Sequence, residues 1–466
     1  MSDKLALPTR PPAVLILGGT TTIARALCLY LLDPKTPRAS FVRLADRYSV
    51  SPPTTYLDRP FLSLLNDPSS SLEYKQINLG NVERHDEVFT PPKNWKEKEL
   101  ELGEGREGFD VVFDLTGDTS FDKPELIQIT HTYQLALSLA TTASTLPSSL
   151  KPRAYIRLTF PFYEMKSLPS SSSAGHTESA ELKPDGIRGK WWHETLRGIG
   201  RLEGLNFGVI RCGAWYGRGT WDGETLPRVV VGHVYQYLKE EMKFLYNSDL
   251  RVNTIHSLDV SQALHLLSLY LLSTPRETVL SQSASPIGFS FPSSSSSSSS
   301  TFSLTKHKRS ASSSETWKTI STVVPEKGKV AIPLFNIVDE GDSTQGSLAK
   351  AVAEVWGIKF GFLNNTMATL VQQFAKTDFA EMVEDVNEMH VQAWSDMLSK
   401  SNPPIDSSPI TPFLDEHAFR KMAICFDGSK AKKILGFKPA YSKVEVDELK
   451  RIVHDFQDDR LWPKLA

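Results

Sequence analysis

The residues Gly18-Gly19-Thr20-Thr21-Thr22-Ile23-Ala24 set two glycines and three hydroxyl side chains before an apolar helical pattern. Glycine turns tightly and lets a ligand come close to the backbone. The free amides of a helix start, with the positive end of its dipole, favour a pyrophosphate. Against the spacing G-x-x-G-x-x-G, Gly18 holds the first place, Thr21 the second and Ala24 the third. Thr21 puts a β-branched side chain where backbone should meet phosphate, although its hydroxyl can donate to a phosphate oxygen. An ordinary buried strand-turn-helix fits the same pattern. Asp46 follows roughly 20 residues past the helix start, where an acid accepts from the adenosine ribose hydroxyls. A carboxylate there repels a 2′-phosphate, so NAD is favoured over NADP. Arg43 and Arg47 beside it soften that preference. An Asp capping a turn is the plainer reading of the same residue.

These groups need a sheet to hold them. Residues 14–17 are a short apolar run of the kind buried on both faces of a parallel sheet. Ile23, Leu27, Tyr30 and Leu31 then recur at helical spacing. Further strands are expected at 41–46, 72–78, 109–115, 154–159, 207–211 and 334–338. Helices are expected over 124–142, 184–202, 348–356 and 442–456. Asn78-Leu79 and Thr116-Gly117 stand at strand ends, where ligands of open parallel sheets collect. A turn explains Asn78 equally well. The alternation of strand and helix predicts an α/β, doubly wound parallel sheet with a smaller C-terminal lobe. Residues 281–314, with an unbroken run of serines at 293–300, are expected to form a disordered insert.

A net charge of −2 gives no electrostatic case for nucleic acid or an anionic membrane. Three scattered cysteines, Cys28, Cys212 and Cys425, have no metal-type spacing and suit a reducing compartment. No apolar run is long enough to span a bilayer. These features describe a soluble cytoplasmic protein with no metal, nucleic-acid or membrane partner.

The ordered motifs resemble the extended short-chain dehydrogenases/reductases, the group that includes NAD-dependent sugar-nucleotide epimerases and dehydratases. The matching pieces are 17–24, Asp46, 110–117, Leu158-Thr159 before Tyr163, Lys190 with Glu194, 210–217, 255–260 and 429–439. The resemblance implies a Rossmann-like domain over 13–215 after an N-terminal tail at 1–12. It implies a substrate lobe from 216–254 and 360–441, with 255–272 and 330–358 returning to the sheet and a C-terminal helix at 442–466. It also implies a nicotinamide-dependent enzyme acting on a hydroxyl or carbonyl of a small molecule, with a nucleotide sugar as one candidate. The cofactor residues would be Gly18, Gly19, Thr20, Thr22, Ile23, Asp46, Arg47, Asn78, Leu79, Thr116, Gly117, Lys190 and Gly213. Arg218 and Arg228 would face a diphosphate, or are solvated surface arginines.

In that family a Ser/Thr, a Tyr and a Lys four residues after the Tyr form the catalytic set. Thr159 and Lys190 match two of these, but Gly186 stands at the tyrosine position. Tyr163 is the first substitute for the missing acid and His193 the second. The alternative is an NAD(P)-binding protein without turnover, a sensor or scaffold. The resemblance further implies a homodimer contact through the helix that carries Trp191-Trp192, which otherwise pack in the core.

Overall fold

The computed structural model describes residues 10–92, 106–168, 175–291, 315–363 and 379–465. Eight strands form the main sheet: β1 (Ala13–Leu17), β2 (Phe41–Asp46), β3 (Leu72–Gln76), β4 (Val111–Asp114), β5 (Ala154–Thr159), β6 (Phe207–Cys212), β7 (Ala284–Pro286) and β8 (Ala331–Ile337). Their spatial order is β7-β8-β6-β5-β4-β1-β2-β3. Every pairing is parallel except β7 on β8, which is antiparallel. The order reverses between β1 and β4, so a crevice opens beyond their carboxyl ends. Both faces are covered, because β1, β4, β5 and β6 are buried along their whole length.

One face carries the Thr22–Leu31 and Ser257–Ser273 helices. The other carries the Leu135–Thr145 and Gly186–Gly200 helices. The helix expected over 124–142 is broken into Glu125–Gln128, a π-helical turn at Ile129–Gln134 and Leu135–Thr145. The wider turn sets Thr130, His131 and Gln134 on the crevice.

The second lobe packs the Leu226–Leu238 helix with Gln345–Trp356, Phe379–Ser399 and Val446–Asp458. Its centre is His233, stacked on Trp356 at 4.0 Å and accepting at Nδ1 from the Trp462 indole N–H at 2.9 Å. The Gln345–Trp356 helix and the C-terminal helix therefore belong to this lobe, not to the sheet or to a separate tail. Their apolar stripes meet Val229 and Val230. Conversely, Ala431, Leu435 and Phe437 are buried in the sheet's own core, so 429–437 returns to the sheet.

Part of the stretch expected to be disordered is ordered. Residues 281–291 finish the Arg276–Ser283 helix, form β7 and run on to Phe291. Ile287 and Phe291 bury their side chains, with Phe289 packed beside them, and Phe291 lies 5.1 Å from Trp191. The serine density hid this alternating apolar pattern. The serine run at 293–300 lies outside the described residues. Among the described residues no helix is long and apolar enough to cross a membrane.

Candidate functional site

β1 ends at Gly18, whose φ is +79°, and a Cβ added there would sit 2.9 Å from the Leu115 carbonyl oxygen. Only glycine fits this approach of the first turn to the β4 turn. Gly18 and Gly19 donate to the Ala45 carbonyl at 3.1 and 3.2 Å, which ties the loop to β2. Thr21 caps the following helix, its hydroxyl accepting from the Ala24 amide at 3.3 Å. The threonine at the second glycine place thus satisfies one helix amide itself. Among the described residues no acceptor meets the amides of Thr21, Thr22 and Ile23. A helix start with unmet amides, whose Thr21 lines the adjoining cavity, suits an anionic pyrophosphate.

Asp46, 7% exposed, closes the end of β2. It accepts from the Thr20 amide at 2.9 Å, the Thr20 hydroxyl at 2.6 Å and the Arg47 amide at 2.7 Å. Its position is fixed by these donors, and a carboxylate still offers a further acceptor site to a ribose hydroxyl. The turn after β4 is held from below. Asp114 accepts from the Thr116 amide and hydroxyl at 3.0 and 2.6 Å and from the Arg157 guanidinium at 2.6 Å. Arg157 is fully buried, donates also to the Thr116 carbonyl at 2.9 Å, and lies under the Trp192 ring.

These parts line one cavity of 720 Å³, together with Asn78, Leu79, Gly80, Thr116, Gly117 and the Thr119-Ser120 loop. Gly18, Thr20, Asp46, Arg47, Asn78, Leu79, Thr116 and Gly117 therefore come together as the sequence predicts. Five other expected residues do not line it. Gly19 packs on Leu44, Ile23 is in the core, and the Thr22 hydroxyl donates to the Gly219 carbonyl at 3.2 Å. Gly213 is wedged against the Asn253 carbonyl and donates to Ile337, and Lys190 is half-buried on its helix. The residues present suit an adenine dinucleotide.

A second cavity, of 830 Å³, shares Thr119 and Ser120 with the first and extends into the other lobe. Pro161, Phe162 and Arg188 line it, whereas Thr159, Tyr163 and Lys190 line neither cavity. Tyr163 sits in a short strand pairing with Lys183–Pro184 and packs in a core with Met165 and Ile424, whereas Phe162 packs with Phe160 and Trp192. Its hydroxyl, 3.3 Å from His193 Nδ1, is walled in, and burial raises its pKa. His193 Nε2 donates to the Gly288 carbonyl at 2.7 Å, which leaves Nδ1 as the acceptor for Tyr163. Burial pushes the His193 pKa down to about 4.

Gly186 opens its helix at φ +59°. A Cβ built there would meet only Phe121, at 4.0 Å. Arg188, two residues on, donates to the Thr119 carbonyl at 2.8 Å and lies over Phe162 at 3.8 Å. Burial lowers its pKa to about 10, against the opposing pull of Asp185.

Sequence reasoning missed four contributors. Arg25 donates to Thr20, Asp58 and Gly219 and so ties the first turn to both lobes. Arg157, Arg188 and Ser120 were likewise not singled out. An arginine inside an otherwise apolar helix face or strand was the available signal for Arg25 and Arg157. No cluster of three His, Cys, Asp or Glu side chains suited to a metal occurs among the described residues.

No protein-family model and no curated protein matches the sequence. Solved structures do match the fold. UDP-N-acetylglucosamine 4-epimerase from Methanobrevibacter ruminantium, in complex with UDP-N-acetylmuramic acid, matches with TM-score 0.53 at 13% identity, over 98% of this chain and 100% of that one. A dTDP-glucose 4,6-dehydratase from Streptomyces venezuelae with NAD bound matches with TM-score 0.53 at 14% identity, over 96% and 98%. UDP-glucose 4-epimerase from Thermotoga maritima with UDP-glucose matches with TM-score 0.51 at 13% identity, over 96% and 99%. The chain has the Rossmann-like fold of these epimerases and dehydratases.

Proposed function

We propose that the chain binds NAD in the cavity beyond β1, β2 and β4 and uses it on a hydroxyl or carbonyl of a small molecule in the adjoining cavity. The observation that carries this reading is the cavity lined by Gly18 at positive φ, by Thr21 at the helix start and by a fixed Asp46. The amides of that helix start would hold the pyrophosphate, Asp46 the adenosine ribose, and Asn78 and Leu79 the adenine end. Gly117 leaves room for close approach. The bound nicotinamide would supply or accept hydride. The fold neighbours add support, since the Streptomyces dehydratase holds NAD in its crystal structure.

The substrate oxygen would be met where the two cavities join. Ser120 offers a hydroxyl there and Arg188 a buried, immobilised cation, which stabilises charge developing on that oxygen. Lys190 and Thr159 would act from behind this wall, by positioning. Three buried, unpaired cysteines are in keeping with a cytoplasmic setting.

The test is turnover by the full chain with NAD against a panel of alcohols and nucleotide sugars, read both as NADH formed and as altered product without net NADH, since a redox-neutral epimerisation or dehydration returns the hydride. Turnover that falls in Ser120→Ala and Arg188→Met supports the enzyme. A second reading, cofactor binding without chemistry, draws on Gly186 at the tyrosine position and on the enclosed Tyr163 hydroxyl. Saturable NAD binding with no turnover across the panel would establish it instead.

A further inference from the structure

The geometry points to an uncharged, largely apolar, cyclic substrate for the 830 Å³ cavity, not to a nucleotide diphosphate. This deepens the proposed function and rests on it. The walls on the lobe side are made by Trp215, Tyr235, Met242, Phe244 and Leu250, with Phe162 at the cofactor side. Met242 and Phe244 come from a two-stranded ribbon, Met242–Phe244 on Phe360–Phe362, that turns apolar side chains inward. Phe413 lines the same cavity yet is 56% exposed, an apolar ring at the cavity's edge. Polar groups that suit a reacting oxygen, Thr119, Ser120 and Arg188, stand where the cavity meets the cofactor cleft.

The charges lining the cavity balance. Asp122, Asp222, Glu224 and Asp415 face Arg188, Arg228, Lys243 and Arg420. Each of these cations lies within 4.0 Å of a carboxylate, Asp185 being shared by Arg188 and Arg420. Arg228 lies 3.1 Å from Glu224, Arg420 2.7 Å from Asp185, Lys243 3.6 Å from Glu241, and Arg188 4.0 Å from Asp185. A pyrophosphate would enter among four carboxylates and find Arg228 and Arg420 engaged, with Arg188 alone left over for a single substrate oxygen. The anion's desolvation would go largely uncompensated. An apolar ring system gains from the same walls. The sequence left Arg218 and Arg228 either to a diphosphate or to solvent; Arg218 pairs with Asp455 at 2.9 Å away from the cavity lining, and Arg228 lines it paired with Glu224.

The experiment titrates the full-length protein with Nile red, an uncharged polycyclic dye, and challenges the complex with UDP and UDP-glucose. We expect saturable dye fluorescence that millimolar UDP-glucose does not reverse. Phe413→Asp, a change at an exposed position, should weaken the dye by about tenfold while NADH binding and thermal stability stay as they were. Displacement by UDP or UDP-glucose, absence of dye binding, or indifference of the dye to Phe413→Asp would each overturn the inference. A parallel NADH titration separates the two readings. Loss of NADH affinity defeats the proposed function, whereas UDP-glucose displacement with NADH still bound defeats only this substrate class.

Discussion

The indole of Trp192 lies against Gly117, so that a Cβ built on the glycine would fall 2.5 Å from its Cζ2 atom. Gly117 also has φ +130°, which an L side chain rarely adopts. Backbone strain and overpacking both oppose any larger residue. Gly117→Ala is expected to lower stability by about 2 kcal/mol and NADH affinity by at least about tenfold. Thermal melts and fluorescence titration of the variant check both. Trp192→Phe keeps the wall apolar and should cost less.

Arg157 and Asp114 form a fully enclosed ion pair beneath the same turn, at 2.6 Å. Removing one partner strands the other charge away from water. Arg157→Met should destabilise by about 3–5 kcal/mol in denaturant unfolding. Arg157→Met combined with Asp114→Leu should recover part of that loss, because no lone charge remains. A double variant as weak as the sum of the singles would refute the pairing.

Asp46 gives a cofactor preference. If Asp46 holds the adenosine ribose as proposed, its carboxylate would repel a 2′-phosphate, and NADH should bind at least about tenfold more tightly than NADPH. Asp46→Asn retains an acceptor for the Thr20 donors and should narrow the gap. Paired titrations at low and high salt read the effect directly, since screening shrinks an electrostatic preference.

Two buried histidines set an acid limit. Burial holds His233 down to about 3 and His193 to about 4, so both are neutral in the folded protein. A base whose pKa falls on folding takes up its proton when the chain unfolds. Its contribution is intact above the unfolded value of about 6.5 and is lost as pH drops through the folded values. Lowering the pH from about 6.5 to about 5 should cost up to about 2 kcal/mol for each histidine. Melting temperatures across this range provide the check, and His233→Phe should flatten the slope. A melting temperature that does not move would contradict the burial of these rings.

Much of this was legible in the one-dimensional pattern. Apolar runs such as Val14-Leu15-Ile16-Leu17 and Tyr155-Ile156 could only be enclosed strands, and their ends placed Gly18, Asp46 and Gly117 around one crevice. The catalytic set was harder. Spacing does not say which of two neighbouring residues reaches a cavity, and Tyr163 turned inward while Phe162 took the wall. Arg157 was not singled out, and its partners Asp114 and Thr116 lie across the sheet, out of reach of local spacing. The ribbon that shapes the second cavity joins Met242–Phe244 to Phe360–Phe362, a pairing with no local signature.

The most direct measurement is a fluorescence titration of the purified full chain with NADH, with competition by NAD. Saturable binding in the micromolar range, abolished by Gly18→Val, is the result expected if the Thr21-Thr22-Ile23 amides and Asp46 form a dinucleotide seat. No affinity for NADH or NADPH at millimolar concentration would contradict it, whatever the fold.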